Sequence, residues 1–371
     1  MKNGWEEDLL YQIALTKTPH IGAVQAKTLL DFFPDAASIF KAKKTDLERI
    51  NGIGTVRAES LRSYRSFKEA EKEIRFLQQF SITPLFMRHP DYPKRLLNCY
   101  DPPTLLYYKG TADLNTQKTI SVIGTRSNTE NGRLITEELI KDLRGQGLLV
   151  ISGLAFGIDG IAHRSAIRHQ IPTVGVLAHG LDLLYPPQHR GLAKEMLQEG
   201  GGLLTEFPSE TPPDKHQFPN RNRVVAGMSD AVIVIESGRK GGSMVTAELA
   251  NGYNRDVFAF PGRVNDPKSI GCLQLIRNNK ATLISSAEDL LNSMGWGEQK
   301  KKTETVQREI FVPLSEQEQI IVNILKGVES MHIDEIYQKS GMSAGTIAGI
   351  TLSLEMKGVL QSLPGKQIRL H

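Results

Sequence analysis

Only two cysteines, Cys99 and Cys272, occur in 371 residues, and they lie far apart and outside any Cys-x-x-Cys or Cys/His spacing. This scarcity argues against a disulfide framework and a structural zinc site, and it fits a reducing compartment, the cytoplasm. Long apolar runs are missing as well. No stretch approaches the roughly 20 residues that span a bilayer, and the opening MKNGWEEDLL lacks a basic segment followed by an apolar one. Neither export nor membrane insertion is expected. No HExxH or other compact metal-ligand spacing appears, so no metal is assigned. Nor does one sign of charge dominate: 45 Lys and Arg face 41 Asp and Glu, a net charge of +4. That balance permits a polyanionic partner without requiring one, so the placement of the cations decides.

The length calls for several domains. Residues 1–65 read as helical, with two related hairpins, PHIGAVQAKTLLDFF around Gly22 and LERINGIGTVRAESL around Gly54. In a helix-hairpin-helix unit the glycine turn presents backbone N–H groups at a helix N-terminus, where phosphate is favoured. A small bundle for protein contacts explains the same pattern, and Lys17, Lys27 and Arg57 are the nearby cations. From Thr119 the pattern changes to TISVIG, LLVISG, TVGVLAHG, GLLTEF, DAVIVIES, DVFAFPG and ATLI, separated by amphipathic stretches. Continuous apolar strands alternating with helices predict an α/β fold, a doubly wound Rossmann-like parallel sheet spanning 66–296, with PPTLLYYKG added as an edge strand. The polar segment 297–312 reads as a linker. Residues 313–371 read as a winged helix carrying 5 Lys/Arg and 6 Asp/Glu, with Lys357 the single cation of the would-be recognition helix. Such a neutral helix suits protein contact better than duplex reading.

In an open parallel sheet, ligands bind beyond the carboxyl ends of the strands. The first of these ends is SVIGTRSNTENG, where Gly124 allows close backbone approach, Thr125 or Ser127 is a candidate cap for the next helix, and Arg126 supplies a positive charge for an anion. The second, SGLAFGIDGIAH, is glycine-rich, but it departs from GxGxxG and lacks the terminal Lys-Ser/Thr of a P-loop, so dinucleotide and triphosphate sites are disfavoured and no cofactor is expected. Asp159 and His163 sit four apart on one helical face, as an acid/base pair or, more commonly, a helix-start Asp beside a His. LAHGLDLLYPPQH places His179, Asp182, Tyr185 and His189 in one loop region.

The segment PDKHQFPNRNRVVAG reads as ordered loop. It offers Lys215, Arg221 and Arg223 to phosphates, the Phe218 ring to a base, and Asn222 to backbone or base. After DAVIVIES, the run GRKGGSMVTAELA sets Arg239, Lys240, Gly241, Gly242 and Ser243 before a helix as a second phosphate nest, followed by Thr246 and Glu248. Converging cations and a ring suggest a binder of single-stranded nucleic acid.

Taken in order, GTR, SGxAxGIDxxAH, GLDxxYP, FPxRNRxxAG, GGSxxTAxxA and VFAxPG resemble the DNA-processing protein A family (DprA/Smf) across roughly residues 96–290. The resemblance implies a non-enzymatic, cytoplasmic protein that binds single-stranded DNA, forms a homodimer through its Rossmann-like domain and loads RecA during natural transformation and recombination. It also implies an N-terminal domain of sterile-alpha-motif or helix-hairpin-helix type and a C-terminal winged helix. Carried over, the pocket arginine is Arg126, the basic and aromatic residues are Lys215 and Phe218, and the glycine-serine turn is Gly242-Ser243. The family's usual Ser-Gly-Ser stands here as Gly241-Gly242-Ser243, and its Gly-Arg before the sixth strand as Asn254-Arg255. The apolar GCLQLI run from Gly271 is the candidate self-association face. An enzymatic alternative is a phosphoribohydrolase-like nucleotide site, because GGSMVTAE resembles that family's PGGxGTxxE with shifted threonine spacing and no preceding proline; Glu236 or Glu248 would be the catalytic carboxylate. A duplex-binding regulator acting through both flanking modules is the third reading.

Overall fold

A computed structural model describes residues 4–297 and 314–370 of the chain, so the expected linker lies outside the described residues apart from Gly297. All seven apolar runs become strands: β3 (Lys118–Ile123), β4 (Leu148–Ser152), β5 (Thr173–Val176), β6 (Gly202–Thr205), β7 (Ala231–Val234), β8 (Asp256–Ala259) and β9 (Thr282–Leu283). They pair in parallel in the order β6-β5-β4-β3-β7-β8-β9. Every residue of β4 through β7 is buried, as expected where helices cover both faces and β-branched side chains pack on each. The chain winds outward from β3 to β6, returns, and winds the other way from β7. The switch point therefore falls between β3 and β7, where successive loops diverge and leave a crevice.

Two antiparallel strands extend the sheet past β6. They are β2 (Leu105–Gly110), bonded to β6, and β1 (Thr83–Phe86), bonded to β2. The expectation that PPTLLYYKG forms the edge is corrected here, since β1 covers it. Pro84 explains the choice, because a residue without an N–H suits an edge strand.

The helical N-terminal part runs past residue 65. Helix Phe67–Gln79 closes it, with the Phe67 ring 5.6 Å from Tyr11, 5.9 Å from Phe40 and 5.2 Å from Tyr64. Its apolar residues continue into one core with those of the sheet. The two hairpin turns are tied together by Arg57, which donates to the His20 carbonyl (3.1 Å) and the Gly52 carbonyl (2.8 Å). Lys17 pairs with Glu69, and Lys27 donates to the Leu97 carbonyl. All three hairpin cations are thus engaged within the chain.

Ile284–His371 form a second compact unit. Helices Glu316–Leu325, Ile333–Ser340 and Ala344–Met356 combine with β10 (Met331–His332), β11 (Leu360–Leu363) and β12 (Gln367–Leu370), in the order β10-β12-β11, as a winged helix. Ser315 and Glu318 form a capping box at the first helix. Lys357 lies 2.7 Å from Glu318, and with Ser315 and Ser353 it pulls that carboxyl down to about 2. Helix Ala344–Met356 carries no basic residue and exposes Leu352 (60%) and Met356 (83%).

Candidate nucleic-acid interface

Three loops meet at the β3/β7 switch point and enclose a cleft of about 330 Å³. The first follows β3. A side chain at Gly124 would strike Ile158, and one at Gly157, where φ is +75°, would strike the Thr125 carbonyl and the Arg126 backbone. Both glycines are needed because the helix Ile158–Arg168 starts against this loop, its Ile158 N–H donating to the Thr125 carbonyl at 3.2 Å. The Arg126 side chain is left exposed, its guanidinium 5.1 Å from the centre of the Phe218 ring. Among the described residues Arg126 forms no ion pair. Helix Glu130–Asp142 is capped by Thr129, whose hydroxyl accepts from Gly132 N, rather than by Thr125 or Ser127. The Thr125 hydroxyl instead accepts from Ser127 N, which tightens the turn.

The second wall corrects a loop expectation. Gln217–Gly227 is a helix, and Pro219 is tolerated because it sits in the first turn, where no intrahelical N–H bond is lost. Helical phase then separates the cations: Phe218, Arg221, Asn222 and Val225 line the cleft, and Arg223 does not. Arg223 pairs with Glu206, also donates to the Asp101 carbonyl and lies 3.7 Å from the Asp101 carboxylate, so it is a structural tether rather than a phosphate ligand. Arg221 is buried beneath the cleft and donates to the carbonyls of Gly153 and Val176. Burial brings its guanidinium down to about 10, against the pull of Asp159. It charges the floor without reaching out of it. Lys215 stands exposed in the loop before the helix and does not line the cleft.

The third wall is the glycine turn after β7. Helix Gly242–Gly252 begins there with Gly241, Gly242 and Ser243 lining the cleft, so the positive end of the helix dipole and the first-turn N–H groups lie at the cleft. Asn222 donates to the Gly242 carbonyl at 3.3 Å and so joins the second wall to the third. Ser243 lines the cleft, yet its hydroxyl is held 2.8 Å from that of Ser237, which leaves the backbone of Gly241, Gly242 and Ser243 to face the cleft. Lys240 is exposed on the rim.

Asp159 and His163 do not pair. Asp159 accepts from Gly153 N (3.1 Å) and Ala155 N (3.4 Å), and burial raises its carboxyl despite Arg221. His163 shares a 2.7 Å hydrogen bond with Thr173, and burial, with Arg221, Arg164 and His189 nearby, pushes its imidazole down to about 3. An unfolded chain binds this proton below about pH 6.5 but the folded chain only near 3, so stability present at neutral pH is lost as the pH falls through that window. Urea unfolding at pH 7.5 and 5.0 should show His163→Asn losing less stability than the parent, by up to about 1.4 kcal/mol per pH unit. Equal losses would contradict this.

The LAHGLDLLYPPQH loop is built on backbone ties. His179 bonds the Gly180 carbonyl and Tyr185 N, His189 the Leu154 carbonyl, and Asp182 accepts from Glu210 N. The two carboxylates of the enzymatic alternative also point elsewhere: Glu236 accepts from Thr129 N and the Thr129 hydroxyl, and Glu248 binds Lys280 at 2.7 Å. Neither lines the cleft. No described helix is long and apolar enough to cross a membrane.

A sequence model of the family described as DNA recombination-mediator protein A matches residues 83–295, and one described as DprA winged helix domain matches 312–366. Protein Smf of Synechocystis is 32% identical over 96% of this chain and 97% of its own length. DNA processing protein DprA of Bacillus subtilis is 40% identical over 55% of this chain and 68% of its own. The crystal structure of DNA processing protein A from Streptococcus pneumoniae superposes with a TM-score of 0.65 at 31% identity, covering 76% of this chain and 96% of that one. A structure of the Helicobacter pylori protein, described by its single-stranded DNA binding mode, gives 0.52 at 31% identity, covering 58% and 95%.

Proposed function

Because the chain belongs to the DNA recombination-mediator protein A family, we propose that it binds single-stranded DNA in the switch-point cleft as a non-enzymatic recombination mediator. Arg126 and the Gly241-to-Ser243 backbone take phosphates, Lys240 and Lys215 add charge at and near the rim, Arg221 sets a positive floor, and Phe218 stacks a base. The observation that carries this reading is Arg126, exposed, without an ion-pair partner among the described residues, and lying over an aromatic ring at a helix-bounded cleft. A volume of about 330 Å³ suits one nucleotide and not a duplex, and the Phe218 ring serves only an unpaired base. The helical hairpins and the winged helix are given no duplex contact in this reading, since Lys17, Lys27 and Arg57 near the hairpin turns and Lys357 just after the neutral helix Ala344–Met356 are engaged within the chain.

Two further parts of the reading rest on the family and on one surface. The chain pairs with a second copy and loads RecA onto the strand it holds during transformation and recombination. Helix Ile270–Arg277 supports the pairing, because Leu273 and Ile276 line an open groove with Val264, which is 79% exposed. Titrating oligo-dT binding against salt tests the core of the proposal. Two to three phosphate contacts give a log-log slope of about −1.4 to −2.1. Binding without salt dependence, or preference for duplex, would remove the proposal.

A further inference from the structure

Aromatic rings of this size are ordinarily drawn into the core, yet Phe156 (40% exposed) and Tyr185 (44% exposed) stand open beside the cleft. They come from different loops, Phe156 from the turn after β4 and Tyr185 from the loop that follows β5. A shallow shelf lined by both, with a recess of about 20 Å³, borders the cleft and shares Arg126 and Phe218 with it. The Tyr185 ring lies 6.2 Å from Phe218 at an angle of 56°, and Phe156 meets His189 edge-on at 5.1 Å. The Arg164 guanidinium lies 3.5 Å from the His189 ring nitrogen. Two ring pairs therefore stand beside the cleft, Phe218 with Tyr185 next to Arg126, and Phe156 with His189 next to Arg164.

We infer that Tyr185 and Phe156 form a second base-stacking subsite, which receives the nucleotide adjacent to the one stacked on Phe218 and leads the strand out of the cleft along the shelf. The inference rests on the single-strand reading above and adds its path. Stacking platforms tolerate any base because every base has a π-face, and a row of rings beside a cationic groove is how a strand is tracked without reading its sequence. Arg126, shared by cleft and shelf, would then sit between two consecutive bases, and Arg164 would meet the departing backbone.

The test compares oligo-dT with an abasic oligomer of equal length and charge, using the full chain. Phe156→Ala/Tyr185→Ala should weaken oligo-dT binding about 5- to 100-fold while leaving the salt slope unchanged, because bases and not phosphates are lost. On the abasic oligomer the double variant and the parent should bind alike. Tyr185→Phe and Tyr185→Trp should restore affinity in the Phe156→Ala background to that of Phe156→Ala alone, whereas Tyr185→Leu should not. The subsite is overturned if the double variant binds oligo-dT like the parent while Arg126→Ala does not, or if its loss is equal on the abasic oligomer. Failure of the parent protein itself to bind oligo-dT would instead overturn the single-strand reading beneath it.

Discussion

Arg126→Ala is expected to weaken oligo-dT binding about 10- to 100-fold, the range set by losing one charge-assisted phosphate bond of about 1.5–3 kcal/mol. The slope of affinity against salt should fall by roughly 0.7, one phosphate's worth for a single strand. Folding stability should be unchanged, because the side chain is exposed and its principal contact is the 5.1 Å approach to Phe218. These signs together separate a ligand-binding cation from a structural one. A variant with parental affinity and slope would show that the phosphate path lies elsewhere.

Arg223→Ala should do the reverse. Two positions along the same helix from Arg221, its guanidinium is held by Glu206 and the Asp101 carbonyl, with side-chain exposures of 15% for both Arg223 and Glu206. Removing one partner of a buried pair leaves the other charge uncompensated, at a cost of about 3–5 kcal/mol. Burial already raises the Glu206 carboxyl even with the arginine present. Without it the carboxyl should protonate more readily in the folded chain than in the unfolded one, so the deficit should be smaller at pH 5 than at pH 7.5. Urea midpoints at the two pH values check the size and the direction. The folded fraction should bind oligo-dT with the parental salt slope, and a lowered slope would return Arg223 to the list of phosphate ligands.

The contrast between these two arginines shows where sequence reasoning reached its limit. The seven strands were legible because a sheet buried on both faces demands unbroken apolar runs, and the loops at their carboxyl ends then followed from topology. Arg126 was legible for the same reason, being fixed by position directly after β3. The RNR triplet was not, because Phe218-Pro219-Asn220 reads as loop, and only a helix starting at Gln217 gives Arg221 and Arg223 opposite faces. β1 escaped notice because four residues containing a proline carry no period-2 signal. The role of Gly157 was hidden too: its glycine is read in sequence as a phosphate turn, whereas its missing side chain makes room for the Arg126 loop. The exposure of Phe156 and Tyr185 could not be foreseen either, since an aromatic residue in an apolar-rich loop is ordinarily assigned to the core.

Photocrosslinking a single-stranded oligomer carrying 5-iododeoxyuridine, followed by peptide mapping, tests the central claim most directly. Adducts should concentrate on the peptide containing Phe218, with a second set at Tyr185 or Phe156, and should disappear in Arg126→Ala at equal concentration. Adducts confined to the hairpins of residues 17–57 or to the helix Ala344–Met356, with none around the switch-point cleft, would contradict the account.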